Sequence, residues 1–579
     1  LKLHSVFFCG SDTMMASADV DPDSEGAGAT KLSCLDEGGV RTVPVPLANR
    51  CAARRACRSC AGIAAVLTLG LVLSVLASRF LNSKQLVGVS APTQVAIAAG
   101  NFSDTEVAFT WLTDDPRDDA ASCKDVAAVE INSPDAVRAE FECLRYTYAA
   151  SNSWLLHSTY TSGRIHHVRI GNLTPNTTYR YSLAGDTDRL HRTFSTLPAT
   201  SSQNAYPLTF GVVGDLGQTD ASVHTVRQLD VDPEIQMVLH AGDMAYADSN
   251  AVRWDSYGEK VEPLSSRTQW MVCPGNHEIE SDTKTGYNFV PYEARFAMPR
   301  VRPPVTQPSP SQRGCQHPWP YTPFKGPDCT PSVFQGNYDW GNSFYAFTAG
   351  PARIISLNSY TDTSPGSPQY TWLKSELAAL RARRQETPWL IVQMHCPFYH
   401  SNKAHSEERQ TVAMRDHFED LFFENQVSVV LTGHVHAYER SFPVYRQAVN
   451  PKGPTYMVIG DGGNREGHAR NYHSRPLWSA FRNGTLYGHG KITLLNSTHM
   501  RWVWMVDDVS RVPALSKEAA ASVADRHAKG GSSSTRGPTS PWRSALVARA
   551  AEDAAWIVNP WSPHRSVAAE QVHDLSTVV

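Results

Sequence analysis

Between Tyr206 and His434, the apolar runs YPLTFGVVGD, IQMVLHAGD, TQWMVCPGN, ARIISLNS, PWLIVQMH and QVSVVLTGH each stop at a polar residue able to bind a ligand. Uninterrupted runs of this length suit strands buried on both faces, in a sheet covered by helices. The helical period appears between them: YTWLKSELAALRARR sets Leu373, Leu377 and Leu380 on one face. The pattern predicts an α/β domain over residues 205–508 with a site at the carboxyl ends of its strands.

Over residues 88–198 the rhythm changes to short alternating pieces, such as TEVAFTWLT and HHVRIGNLTPNTTYRYSLAG, broken by turn residues. That predicts a small antiparallel β-sandwich. Residues 1–60 and 509–579 show little periodicity and read as disordered tails. The stretch from Pro299 to Pro331, rich in proline and carrying Cys315 and Cys329, reads as a loop inserted in the α/β domain.

One apolar run is different in kind. Ala61 to Ser78 is uncharged and, within a segment 61–81, long enough to span a membrane. Arg50, Arg54, Arg55 and Arg58 precede it, which predicts a signal anchor with a cytoplasmic N-terminus; a cleaved signal peptide is the rival, against the length of chain in front of the run, and a buried core helix the remaining alternative. The body then lies in the secretory pathway, extracellular space or vacuolar lumen. Glycosylation sequons agree, because Asn101, Asn172, Asn176, Asn483 and Asn496 all follow the run. Cys123 with Cys143, and Cys315 with Cys329, are candidate disulfides in an oxidising lumen, and Cys57 and Cys60 sit at a palmitoylation position but read first as unmodified juxtamembrane thiols. With 53 basic and 56 acidic side chains in 579 residues, the chain lacks the bulk basicity of a nucleic-acid scaffold.

In chain order the strand ends carry Asp215 in GDLG, Asp243 and Tyr246 in GDMAYAD, Asn276 and His277 in GNHE, His395 in MHCPFYH, and His434 and His436 in GHVH. Singly these are ordinary, since Gly-Asp is a common turn. Together, carboxylate and imidazole donors ending successive strands suit iron, zinc or manganese, and one carboxylate can bridge two ions. Glycines before Asp215, Asp243, Asn276 and His434 would let the backbone approach a crowded centre. Along a strand, His434 and His436 would point the same way. The glycine-rich GDGGNREG, 460–467, lacks the Gly-Lys-Ser/Thr ending of a phosphate-binding loop and reads as a turn.

These blocks, with the sandwich in front of them, resemble the purple acid phosphatases of the calcineurin-like metallophosphoesterase superfamily over roughly residues 92–508, and the tyrosine of GDMAY is the most specific part. LTPNTTYRYSL likewise resembles a fibronectin type III module. The resemblance implies a four-layer α/β/β/α sandwich preceded by a fibronectin III-like β-sandwich. It implies hydrolysis of phosphate monoesters by hydroxide attack at a dinuclear Fe(III)–M(II) centre. Asp215, Tyr246 and His436 would bind Fe(III), Asn276, His395 and His434 a divalent zinc, manganese or iron, and Asp243 would bridge them.

The same resemblance puts Asn276, His277 and His405 at the substrate, with His277 and His405 as proton donors and Ala404 where plant relatives often carry a further histidine. A similar glycine-rich segment lies near the family's site rim. His400 reads as a solvated loop residue, while Cys273 and Cys396 match no ligand position and are expected to be buried. A phosphodiesterase, nucleotide pyrophosphatase or phytase is the alternative on the same site. A non-enzymatic binding ectodomain is disfavoured because no ligand is missing.

Overall fold

The computed structural model describes residues 90–507 except 115–128, 151–157, 187–191, 201, 203, 249, 281–287 and 300–337, together with 7–9, 12–14 and 550–561. The apolar segment 61–81, Cys57, Cys60, Cys123, Cys315 and Cys329 lie outside these residues, as does most of 509–579. Among the described residues no helix is long and apolar enough to cross a membrane. The chain divides into Leu1–Gly88 and Val89–Val579. In the first unit the described part is a hairpin of Phe7–Cys9 and Asp12–Met14.

The second unit begins with the β-sandwich. Thr93–Ala99, Val107–Thr113, Arg164–Gly171 and Val137–Leu144 form one antiparallel sheet in that order. Arg192–Ser195, Thr178–Leu183 and Val129–Ile131 form a second. Alternate residues such as Val95, Ile97, Val107, Phe109 and Trp111 meet Tyr179, Tyr181 and Phe194 in a shared core, so the period-2 pattern folds as expected. Cys143 is disulfide-bonded.

Among its described residues the following domain has thirteen strands in the two sheets that matter here: β1 (Leu208–Val213), β2 (Met237–His240), β3 (Gln269–Val272), β4 (Tyr345–Ala349), β5 (Ala352–Ser356), β6 (Trp389–Gln393), β7 (Val429–Thr432), β8 (Tyr438–Ser441), β9 (Thr455–Ile459), β10 (Ser479–Asn483), β11 (Gly488–Leu494), β12 (His499–Val506) and β13 (Ala550–Val558). One sheet runs β3-β2-β1-β11-β12-β13 and the other β4-β5-β6-β7-β9-β8-β10. Pairing is parallel along β3-β2-β1 and β5-β6-β7-β9, and antiparallel elsewhere.

Helices α1 (Asp220–Val231) and α2 (Val252–Ser265) follow β1 and β2, and α3 (Val290–Arg295) follows β3. Helices α4 (Pro368–Arg381) and α5 (Arg409–Glu424) follow β5 and β6. One apolar cluster joins Phe210 and Val212 to Ile354, Ile391 and Val429 across the two sheets. A second joins Ile355, Leu390, Val392 and Val430 to Leu373, Leu377 and Leu380 of α4 and Phe418 and Phe422 of α5. Neighbours such as Ile354 and Ile355 therefore enter different cores, which is why these strands have no polar face. The layers are α/β/β/α, as the resemblance implied.

The C-terminal reading needs correction. Within the tail read as disordered, Ala550–Val558 forms β13, antiparallel to β12. Its pattern hid it because a buried inward position is Asp553, whose carboxylate accepts two bonds from Arg440, at 2.7 and 2.8 Å, and one from the Tyr438 hydroxyl at 2.7 Å. A satisfied buried carboxylate does not look like core in a hydropathy pattern.

The sandwich is bolted to the α/β domain by a charge. Buried Arg295, ending α3, donates to Tyr146, Gln94 and Tyr160 of the sandwich and to Asp255 of α2, at 2.7–2.8 Å. Gln94 N also donates to Glu262 of α2 at 2.8 Å. The helix that follows the GDMAYAD loop is thus held from behind by the sandwich.

Asp461, opening the loop after β9, is fully enclosed and accepts from Trp504 Nε1 at 2.7 Å; burial pushes its pKa up to about 8. In the unfolded chain it releases its proton near 3.9. Between those values the unfolded state binds fewer protons, so stability falls as pH rises. Asp461→Asn should therefore have a melting temperature whose advantage over the wild type grows from about pH 4 to about pH 8 and then levels off. An advantage that shrinks over that range would contradict the assignment of a protonated Asp461.

Candidate metal centre

Every predicted ligand lies just past a strand, all at one end of the two sheets. Asp215 is two residues beyond β1, Asp243 three beyond β2, Asn276 four beyond β3, His395 two beyond β6 and His434 two beyond β7. To turn inward so soon, several take left-handed backbone conformations: φ is 52° at Asp215, 54° at Asp243, 47° at Tyr246 and 70° at His434. Such angles are costly for residues with a Cβ and collect at functional sites. The glycines make room. A Cβ on Gly275 would lie 2.1 Å from Asp243 Oδ1, and one on Gly433 would lie 2.3 Å from Asp215 Oδ2.

The donors form two nests that share Asp243. In one, Tyr246 Oη lies 3.2 Å from Asp215 Oδ1, 3.0 Å from His436 Nε2 and 3.5 Å from Asp243 Oδ2. In the other, His395 Nε2 lies 3.1 Å from both Asn276 Oδ1 and Asp243 Oδ2, and one donor atom each from Asp243, His395 and His434 lie within 4.8 Å of one another. Two carboxylates, a phenol, a primary amide and three imidazoles, nearly all buried, form a donor set that fits two metal ions.

The electrostatics point the same way. Burial and then the Asp215 and Asp243 carboxylates hold the Tyr246 phenol well above its ordinary pKa, so only a strongly charged cation would take its proton's place. Burial opposes charge on His395, but Asp243 and Asp215 raise it to about 9, which marks a pocket that demands positive charge. His434 is pushed down to about 3 by burial and by His405, leaving the neutral imidazole a metal requires.

One local expectation changes. His434 and His436 do not share a strand face, because β7 stops at Thr432 and His434 is left-handed. His436 turns toward Tyr246 and Asp215, and His434 toward His395 and Glu408.

The two histidines expected at the substrate flank the centre from different sides. His277 is buried, its ring 4.0 Å from that of Tyr246; Nδ1 is 2.5 Å from Asp248 Oδ1 and Nε2 is 3.9 Å from Asp243 Oδ2. His405 is half-exposed, its ring 3.8 Å from that of His434, with Nδ1 2.8 Å from Glu408 Oε1. His400 is not the solvated residue expected: it is half-buried, and burial with the neighbouring charge of His405 lowers it to about 4. Cys273 and Cys396 are free and buried, as expected, and burial pushes the Cys396 thiol up to about 12.

Several contributors escaped the sequence reading. Glu278 ties the loops together, accepting from the backbone nitrogens of Asp243, Met244 and Gly275 at 2.8–3.0 Å. Tyr360 donates to Asn276 Oδ1 at 3.2 Å. The GDGGNREG segment is more than a turn: Arg465 donates to the carbonyl of Tyr246 at 2.6 Å and pairs with Asp248, and Glu466 Oε1 reaches within 3.6 Å of His277 Nε2. The glutamate of GNHE and the Arg-Glu pair of NREG were the available signals.

Comparison with known proteins agrees with this geometry. Residues 208–438 match the calcineurin-like phosphoesterase family model, 92–197 the purple acid phosphatase N-terminal domain, and 453–512 the iron/zinc purple acid phosphatase-like protein C. Purple acid phosphatase 18 of Arabidopsis thaliana is 35% identical over 424 residues, 72% of this chain and 82% of that protein. A phosphoenolpyruvate phosphatase of Allium cepa is 34% identical over 73% of this chain and 80% of its own length. Among solved structures, a purple acid phosphatase from yellow lupin (Lupinus luteus) seeds superposes with a TM-score of 0.52 at 21% identity, covering 73% of each chain, a likeness of fold.

His277 touches the shared carboxylate's surroundings without being a donor in either nest. His277→Ala should therefore lower turnover by about 10²–10⁴-fold, the usual reach of a positioned proton donor, with metal content unchanged by elemental analysis. Loss of metal together with activity would make His277 a structural residue instead.

Proposed function

The chain belongs to the purple acid phosphatases, and on that premise we propose that Asp215, Tyr246 and His436 hold a ferric ion, Asn276, His395 and His434 hold a divalent zinc, manganese or iron, and Asp243 lies between them. As a member of this family it is a metal-dependent hydrolase of phosphate monoesters. The observation that carries the metal assignment is the unequal charge of the two nests. Tyr246 stands beside Asp215 and His436 and near the shared Asp243, an anionic set suited to a trivalent ion, while the other nest adds to that shared carboxylate only an amide and two imidazoles.

When bound, the metal pair supplies a hydroxide nucleophile in mildly acidic solution and neutralises charge on the phosphoryl oxygens. The chain's own groups do the rest. Asp248 fixes the ring of His277 through Nδ1, so Nε2 faces the centre. On the other side Glu408 fixes His405 in the same manner. Either histidine can then deliver a proton to the departing oxygen, and the pair orients the ester between them.

Location is part of the proposal. Segment 61–81 would anchor the chain with its N-terminus in the cytoplasm and its body in the secretory, extracellular or vacuolar lumen. Asn101, Asn176, Asn483 and Asn496 would then be open to glycosylation. Asn172 is the weakest of the five sequons, because its amide nitrogen donates to the carbonyl of Asp135 at 2.8 Å.

The first test is a visible spectrum with metal analysis on the chain beginning after Ser78, beside its Tyr246→Phe variant. A purple charge-transfer band in the wild type and its loss in the variant, with one iron and one divalent ion, are expected. A colourless protein with two divalent ions would sink the ferric assignment while leaving a phosphoesterase.

A substrate panel tests selectivity. The onion relative is named for phosphoenolpyruvate, so that ester belongs in the panel with 4-nitrophenyl phosphate, bis(4-nitrophenyl) phosphate, ATP and phytate. Monoesters should exceed the diester in kcat/KM by roughly tenfold or more, about 1.4 kcal/mol of transition-state discrimination. A diester, ATP or phytate that matches the simple monoesters would favour the alternative specificity.

A further inference from the structure

His434 belongs to two donor groups at once, one with Asp243 and His395 and one with His405 and Glu408. An imidazole has two nitrogens, and in this structure one is already engaged: Nε2 lies 2.8 Å from Glu408 Oε2. The other oxygen of the same carboxylate, Oε1, lies 2.8 Å from His405 Nδ1. Among the three imidazoles in the nests this arrangement belongs to His434. His395 has its outer nitrogen, Nδ1, on the backbone carbonyl of Ala241 at 2.8 Å, and His436 directs Nε2 at Tyr246 and Asp215.

We propose that Glu408 is the positioning residue of the divalent half of the centre: it takes the Nε2 proton of His434 in a hydrogen bond, turns Nδ1 toward the ion, and holds His405 beside it with its second oxygen. The inference rests on the metal reading above and adds a residue outside the predicted ligand set.

Three features support it. A neutral imidazole carries one proton, and a carboxylate at hydrogen-bond distance from Nε2 fixes that proton there. Glu408 also occupies the N-cap position of α5, yet its carboxylate caps no backbone N–H of the helix. Serine, threonine, aspartate and asparagine are the usual caps. The side chain instead turns to the two histidines, with Gln410 Nε2 donating to Oε2 as well. Finally, the N-terminus of a 16-residue helix favours an ionised carboxylate at that place, which is the form that accepts both bonds.

Outer carboxylates on metal-bound histidines are worth about 10–100-fold in metal affinity. Glutamine at 408 keeps one oxygen to accept from His434 but presents an amide N–H to His405, so Glu408→Gln should retain part of the effect and Glu408→Ala none. The experiment is titration of iron-loaded wild type and both variants with zinc in a chelator buffer, reading bound zinc by elemental analysis and the ferric centre by its visible band. Glu408→Ala should bind zinc about 10–100-fold more weakly, with Glu408→Gln between it and the wild type and the band unchanged in all three.

Zinc affinity within twofold of the wild type in Glu408→Ala overturns the proposal. Loss of the band and the zinc together also overturns it, because that marks a structural residue serving both halves. If the wild type shows no band and takes two zinc ions, the ferric assignment fails on its own. Glu408 is then judged by whether its removal weakens only one of the two zinc steps, which supports the inference, or both or neither, which overturns it.

Discussion

Two carboxylates placed almost wholly out of water, Asp215 at 0% and Asp243 at 1% exposure, set the terms for the rest of this molecule. Removing such charges from solvent costs several kcal/mol each unless positive charge and hydrogen bonds stand beside them. The surroundings answer that cost in detail. Asp243 accepts from the backbone of His277 at 2.8 Å, and Asp215 from the backbone of His434 at 2.8 Å. Burial alone would raise Asp243, but the charges on His395 and His277 and their hydrogen bonds outweigh it and bring it far below the usual carboxylate range. A site that draws a proton onto His395 to neutralise itself is a site made for cations.

That demand explains backbone features that would otherwise be defects. Four donor residues sit at positive φ, and neighbouring glycines lie so close to the donors that a methyl group would collide with them. Strain of this kind persists only where the scaffold over-determines it. Here the scaffold is strands with no polar face, fixed between two cores, so the residues just past their ends have little freedom. Glu278 adds a second constraint by bonding the Asp243 loop to the Asn276 loop. The sandwich adds a third through Arg295, which grips the helix that leaves the Tyr246 loop.

What the sequence made legible follows from the same physics. Uninterrupted apolar runs ending in Asp, Asn or His announce strands buried on both faces with ligands at one end, and Asp215, Asp243, Asn276, His395 and His434 were readable for that reason. The direction of His434 relative to His436 was not, because a period-2 argument holds only while the strand lasts and β7 stops at Thr432. β13 was hidden by an inward-facing Asp553 whose partner, Arg440, is 113 residues away. Glu408 contacts His434 and His405, Asp248 contacts His277 and Tyr360 contacts Asn276, from loops and a helix start, and among ordinary polar loop residues nothing local distinguishes them. Their roles exist only in three dimensions.

The centre also straddles the two sheets. Asp215, Asp243, Tyr246 and Asn276 come from loops after β1, β2 and β3 of one sheet, whereas His395, His434 and His436 come from loops after β6 and β7 of the other. In the proposed assignment each ion draws on both: iron takes His436 from the second sheet, and the divalent ion takes Asn276 from the first. Neither half of the centre can be completed within one sheet. In that assignment metal binding would help hold the ends of the two sheets together. Asp243, common to both nests and bonded through its backbone to Glu278, is one link between the two sides, and the backbone bond from His434 to Asp215 is another.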